Sequence, residues 1–247
     1  MNHIIPLCMK AIIGLLGGKT MHNIKLKDLV AKHPEVTTFL NARNIDYCCG
    51  GETLLFDAIT EKGYEVESFV KDMKVALAES LKQDEVLNKD TLTMATNNLI
   101  NYIQKRHHVV EKDLLVTIEP LLYKIMNVHY EHHGEELKKV HHLFLTLKRD
   151  LEEHLLEEEK EVFPRLKSGV TTSEDGTLSW MEALMADHVA TGEILHQMKH
   201  ITHEFAIPDD ACPTYIKTYS LLNNLVNDIF LHVYTENSIL FPRFLAK

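Results

Sequence analysis

His154-Leu155-Leu156-Glu157-Glu158, followed by Phe163-Pro164-Arg165, is the stretch from which the rest of the chain can be read. It recurs near the C-terminus as His232-Val233-Tyr234-Thr235-Glu236, followed by Phe241-Pro242-Arg243. In each copy a Glu stands four residues after the His, and Phe-Pro-Arg begins nine residues after it. Residues four apart on a helix share a face, roughly 6 Å apart. An imidazole and a carboxylate stacked there can bind one metal pair from one side. Leu147, Leu151 and Val162 fall on the face of His154 and Glu158. Leu225, Ile229, Ile239 and Leu240 fall on that of His232 and Glu236. The polar pairs therefore point into apolar interiors, where an unpaired carboxylate is costly. One copy alone would read as a surface His/Glu pair; two copies with the same downstream tripeptide point to a site.

The 247 residues allow one or two domains with ample core. A net charge of -10 argues against nucleic acid and against an anionic membrane surface as partners. Gly and Pro are scarce, and long Leu/Lys/Glu-rich stretches favour helix. Four cysteines, Cys8, Cys48, Cys49 and Cys212, do not make a disulfide framework for a chain this long, which fits a reducing cytoplasm. Residues 4–18 are mostly apolar but too short and interrupted to span a membrane. They also lack the basic start and cleavage site of a signal peptide. Residues 1–20 are expected to be a poorly ordered or loosely docked extension, with Met21 an alternative start.

In chain order, residues 21–82 predict a small domain of short helices. Pro34 suits the first turn of its second helix. Ile45-Asp46-Tyr47-Cys48-Cys49-Gly50-Gly51 marks a tight turn. Residues 83–90 are a polar linker. Residues 91–247 hold four long helical stretches. Pro120 is expected to kink or break the first, the second is expected from about Glu135, and Pro242 ends the fourth. Short connections imply an antiparallel four-helix bundle. The fold class is all-α.

The repeat is wider than the two pairs. His108 on the first stretch and His188 on the third lie 80 residues apart; His154 and His232, on the second and fourth, lie 78 apart. The candidate ligand set is His108, His154, Glu158, His188, His232 and Glu236. If both carboxylates bridge, each of two metals receives two nitrogens and two oxygens. A bridging oxide or hydroxide would make five donors, leaving a position open for oxygen, peroxide or nitric oxide. Imidazole with carboxylate suits iron, and also manganese or zinc. The first-helix ligand is ambiguous: Leu99, Ile103, Val110 and Leu114 share a stripe with His107 rather than His108. His196, His200 and His203 could form a separate surface zinc or nickel site.

Ile45-Asp46-Tyr47-Cys48-Cys49-Gly50-Gly51 ahead of such a bundle resembles the repair-of-iron-centres (ScdA/YtfE) family of iron–sulfur cluster repair proteins, which join an ScdA-type domain to a hemerythrin-like one. Asp187-His188-Val189-Ala190-Thr191-Gly192, Ala211-Cys212-Pro213-Thr214 and Glu236-Asn237 before Leu240-Phe241-Pro242 are similar to it too. The resemblance covers about Met21 to Leu245. It implies that His108 rather than His107 is a ligand, that two irons are held by the six residues, and that His129 supports them from a second layer. It further implies repair of iron–sulfur proteins damaged by nitric oxide or peroxide, by iron donation or by nitric oxide reduction. The alternative is a hemerythrin-type oxygen or nitric oxide carrier or sensor, which has no evident need of the Cys-Cys-Gly-Gly domain. Oligomeric state stays open, with a homodimer compatible. Cys48 and Cys49 are expected in an accessible turn, acting in iron transfer or redox cycling.

Overall fold

A computed structural model describes residues 23–80, 89–169 and 176–245. The expected extension 1–20 and most of the expected linker 83–90 lie outside the described residues. The chain divides into two compact units, Met1–Val86 and Leu87–Lys247.

In the first unit, α1 (Leu26–Lys32) leads through a 3-10 turn at Pro34–Val36 into α2 (Thr37–Asn41), then α3 (Leu55–Glu61) and α4 (Val66–Ser80). An isolated bridge between Lys25 and Leu54 ties the start of α1 to that of α3. Leu26, Val30, Leu40, Leu55, Ile59 and Met73 form its apolar centre.

The second unit is four rods. The first is α5 (Thr96–Ile103), a π turn at Gln104–His108, and α6 (Val109–Val128). The second is α7 (Tyr130–Glu157), a π turn at Glu158–Val162, and α8 (Phe163–Ser168). The third is α9 (Thr177–Ile201). The fourth is α10 (Pro213–Tyr234), a π turn at Thr235–Leu240, and α11 (Pro242–Leu245). Cross-links show that neighbours run antiparallel. Lys112 and His108 both reach Glu159, while Lys167, further along the second rod, reaches back to Asn101. Arg106 meets Asp228 and Arg243 meets the carbonyl of Met94.

Three departures from the sequence reading have local causes. Pro120 does not break α6. The carbonyl it leaves without a donor belongs to Val116, which is 66% exposed, so water can satisfy it. The second rod begins at Tyr130, because His129 alone is the hinge. Gly134 belongs to that helix: a Cβ there would lie 3.1 Å from the Tyr130 ring packed over it. Finally, the apolar stripe of the first rod changes register. Leu99 and Ile103 are buried, but beyond the π turn the buried residues are Glu111, Leu115 and Ile118, not Val110 and Leu114. A π turn inserts one residue and so rotates everything after it by about 100°.

The same device explains the repeated Phe-Pro-Arg. The amide of Phe163 reaches back five residues to the carbonyl of Glu158, and that of Phe241 to Glu236. Proline follows in both copies and brings no N–H that would need an acceptor as the α-helix restarts. The two phenylalanines are fully buried: Phe163 stacks on His108 at 5.6 Å and Phe241 on His188 at 6.2 Å. Phe163→Ala should cost about 3–5 kcal/mol, measured by denaturant unfolding of metal-free protein so that lost metal does not contribute. A loss below about 1 kcal/mol would mean that the ring is not part of the core.

Candidate metal centre

The π turns and their flanking helices, together with α9, aim six side chains at one level of the bundle. His108 comes from the first rod, His154 and Glu158 from the second, His188 from the third, and His232 and Glu236 from the fourth. All are buried; the most open is His154, at 7% exposure. Their donor atoms form two groups, His108/Glu158/His232/Glu236 and His154/Glu158/His188/Glu236, each with all atoms within 4.8 Å of one another. Both carboxylates belong to both groups.

Within the groups the imidazole Nε2 atoms face the carboxylates. His108 lies 3.3 Å from Glu158, His154 3.3 Å from Glu158, His188 3.2 Å from Glu236 and His232 3.3 Å from Glu236. The Nε2 atoms of His154 and His188 stand 3.0 Å apart. Yet both oxygens of Glu158, both of Glu236, and Nε2 of His108 and His232 have no hydrogen-bond partner. Buried carboxylates and imidazoles in that condition are expensive unless a cation joins them. The residues therefore fit a pair of metal ions, and the nitrogen–oxygen donor set suits iron or manganese better than a closed structural zinc site.

The other ring nitrogens are held from outside. Nδ1 of His108 meets Glu159 at 2.9 Å, that of His232 meets Glu111 at 3.0 Å, and that of His188 meets Asn237 at 2.9 Å. Nδ1 of His154 lies 3.8 Å from the exposed carboxylate of Asp187. Such partners set the ring orientation and leave Nε2 free to ligate. In metal-free protein the imidazoles compete for protons. Burial would lower His154, but the adjacent Glu158 overcomes it and takes the ring up to about 9. His232 is raised in the same way by Glu111 and Glu236. Burial would raise Glu158, but His154 and His108 hold it well below the usual carboxylate range.

Beside His154 the bundle opens. Asp150, Glu153, Glu157 and Asp187 surround that ring in a recess of about 310 Å³.

Other sequence candidates fall elsewhere. His107 is as buried as its neighbour, but its Nδ1 meets Asp228 at 3.0 Å and its ring stacks parallel on His232 at 5.3 Å. With Glu111 and Asp228 it forms a separate buried group. His129 does not support the six. It ends α6, about 30 Å along the helix from His108, and packs against Tyr215 and His133. His196 packs on Phe230, and among the described residues no metal-capable group contains it, His200 or His203.

In the first unit Asp46, Cys48 and Cys49 form a further group. The turn is pinned rather than loose. One oxygen of Asp46 accepts the amides of Cys48 at 3.0 Å and Cys49 at 2.9 Å, and the Cys48 thiol at 3.2 Å. Gly50 is needed because a Cβ would meet the Asp46 carbonyl at 2.6 Å. Cys48 is 4% exposed, so Cys49 is the member open to solvent. The hydrogen bond with Cys49, burial and the charge of Asp46 push the Cys48 thiol well up.

Glu111 and Glu159 were not legible as partners in the sequence. Glu111 lies off the stripe until the π turn is known, and Glu159 looks like one of a run of surface acids.

Comparison with known proteins matches residues 98–244 to the hemerythrin HHE cation binding domain and residues 22–85 to ScdA_N, a domain of unknown function. The chain is 31% identical over 221 residues to the iron-sulfur cluster repair protein YtfE of Enterobacter sp. (strain 638), covering 90% of this chain and 96% of that one. It is 30% identical to the YtfE of Cronobacter sakazakii and 31% identical to that of Shigella boydii, with the same coverage of both chains.

Two outcomes follow from the shared carboxylates and the raised imidazoles. Glu158→Ala should release both metals, whereas His108→Ala should loosen mainly one; metal content per chain measures this, and two metals retained in Glu158→Ala would refute bridging. Loading metal-free protein at pH 7.5 should release protons, because His154 at about 9 is still protonated there. Loading should also raise the melting temperature, by the equivalent of about 2.7 kcal/mol at a hundredfold excess over Kd. Calorimetry in buffers of different ionisation enthalpy counts the protons; none released, with equal melting of the two forms, would show that the donors are not buried together.

Proposed function

The chain belongs to the hemerythrin HHE cation-binding family, among the iron–sulfur cluster repair proteins, and on that premise we propose that it repairs damaged clusters by delivering iron from a di-iron centre. His108 and His232 would hold one iron and His154 and His188 the other, with Glu158 and Glu236 offering donors to both. Bound iron would supply redox-active, exchangeable cations with affinity for nitric oxide, oxygen or peroxide.

The observation that carries delivery is the acidic recess at His154. The chain's own residues then divide the work. The Phe163 and Phe241 rings wall the imidazoles, and Glu111 and Glu159 steady the rings of His232 and His108. Asp150, Glu153, Glu157 and Asp187 offer oxygen donors outside His154, a path along which a cation keeps negative partners. Cys49, backed by the protonated Cys48, is the accessible soft ligand of the small domain. We assign the pair to receiving iron or passing electrons rather than to holding the centre.

The partners in this reading are damaged iron–sulfur proteins, and the setting is the cytoplasm, which rests on the cysteine usage and on the function itself. Among the described residues no helix is long and apolar enough to cross a membrane.

Iron-loaded protein, mixed with a cluster-damaged dehydratase and a chelator of free iron, should restore the dehydratase while losing its own iron. Cys48→Ala/Cys49→Ala should keep iron content but repair more slowly. Asp150→Asn/Asp187→Asn should slow iron loss several-fold at unchanged loading. Restoration abolished by the chelator would refute delivery, and full repair by the double cysteine variant would remove the pair from it.

A further inference from the structure

Behind His232, on the side of its outer nitrogen, lies a polar cluster that the six ligands do not include. His107 and Glu111 stand four residues apart. Among the described residues they are a third His-x-x-x-Glu pair with both members buried, after His154/Glu158 and His232/Glu236. Asp228, four residues before His232 on α10, is buried as well. One donor atom from each of His107, Glu111 and Asp228 lies within 4.8 Å of the others, the spacing that also groups the donors of the metal centre. The His107 ring stacks on that of His232 at 5.3 Å, so the cluster sits directly against the centre.

The contacts inside the cluster repeat those of the centre. Nδ1 of His107 is 3.0 Å from one oxygen of Asp228. In the centre, imidazole and carboxylate face each other at 3.2 to 3.3 Å. Metal–donor bonds of roughly 2.1 Å at right angles set donors about 3.0 Å apart. A hydrogen bond has the same length, and it is the charges that favour a cation. Both oxygens of Glu111 turn to one donor, Nδ1 of His232, at 3.0 and 3.2 Å, although a carboxylate has about four lone-pair sites. With metal on its Nε2, His232 is neutral. Glu111 and Asp228 then have one positive side chain between them, Arg106, which meets the second Asp228 oxygen at 2.6 Å. The Arg106 side chain is 47% exposed, so it can turn into water, whereas the two carboxylates cannot.

We propose that His107, Glu111 and Asp228 form a third cation site, for a divalent first-row metal, reached from solvent past Arg106. One nitrogen and two carboxylate oxygens suit manganese or iron, with water completing the shell. A dication there balances the two carboxylates once Arg106 swings out, and Glu111 joins the site to His232. With three protein donors and the centre's own cations close by, it holds its metal less tightly than the centre does.

The test uses full-length, iron-loaded protein with manganese(II) as the probe, counted by loss of the free-ion electron paramagnetic resonance signal. Wild type should bind one manganese more than Asp228→Asn or His107→Gln. The difference between chains reads this site, so a shortfall of iron in the centre would count against the di-iron reading and not against this one. Arg106→Gln removes the competing cation and should bind the additional manganese several-fold more tightly. Equal binding by wild type and Asp228→Asn up to millimolar manganese would overturn the site, and so would Arg106→Gln binding no tighter than wild type. Wild-type crystals soaked in manganese answer without any variant: an anomalous peak among His107, Glu111 and Asp228 supports the site, and its absence overturns it.

Discussion

Two carboxylates at the centre of a helical bundle, each facing two imidazoles and neither hydrogen-bonded, set the terms for the rest of the second unit. A buried charge left without its partner costs about 3–5 kcal/mol, so the arrangement is tolerable only with cations or protons among the donors. Every rod contributes to that arrangement. The outer ring nitrogens then need partners of their own, which is why Glu111 and Glu159 are buried or half-buried where solvent-facing acids would otherwise be expected. The ring of Phe163 covers His108 and that of Phe241 covers His188.

Much of this was legible because a duplicated motif is hard to produce by chance packing. His154, Glu158, His232 and Glu236 declared themselves by spacing and by the apolar residues around them, and His188 by its symmetry with His108. What spacing could not give was the first rod. Reading it as one regular helix puts His107 on the stripe with Val110 and Leu114. The π turn at Gln104–His108 instead turns both histidines inward and moves the following stripe to Glu111, Leu115 and Ile118. Periodicity fails there because it assumes 3.6 residues per turn, and a widened turn breaks the count at the residues that carry the chemistry. The two Phe-Pro pairs were visible in the sequence, but their role in restarting a helix after a π turn was not.

The small unit shows a different limit. Cys-Cys-Gly-Gly announces a tight turn, and a tight turn was found. Its exposure could not be read, since that depends on Asp46, whose carboxylate collects two amides and a thiol and draws Cys48 inward. His129 is a further case. Resemblance placed it beside the metal ligands, whereas the length of α6 carries it to the far end, into the company of Tyr215 and His133.

The duplication makes two half-sites that match in ligand and differ in backing. His108 and His232 have anionic carboxylates, Glu159 and Glu111, on their outer nitrogens, and such partners make an imidazole a stronger donor. His188 has a neutral amide, Asn237, and His154 has only a distant, solvated Asp187. The weaker pair is also the one beside the acidic recess. A centre built from two equal halves would hold both cations alike. In the delivery proposed above, the first pair would grip its cation more firmly and the second would face an opening lined with oxygen donors, the asymmetry expected where one cation is kept and its neighbour given away.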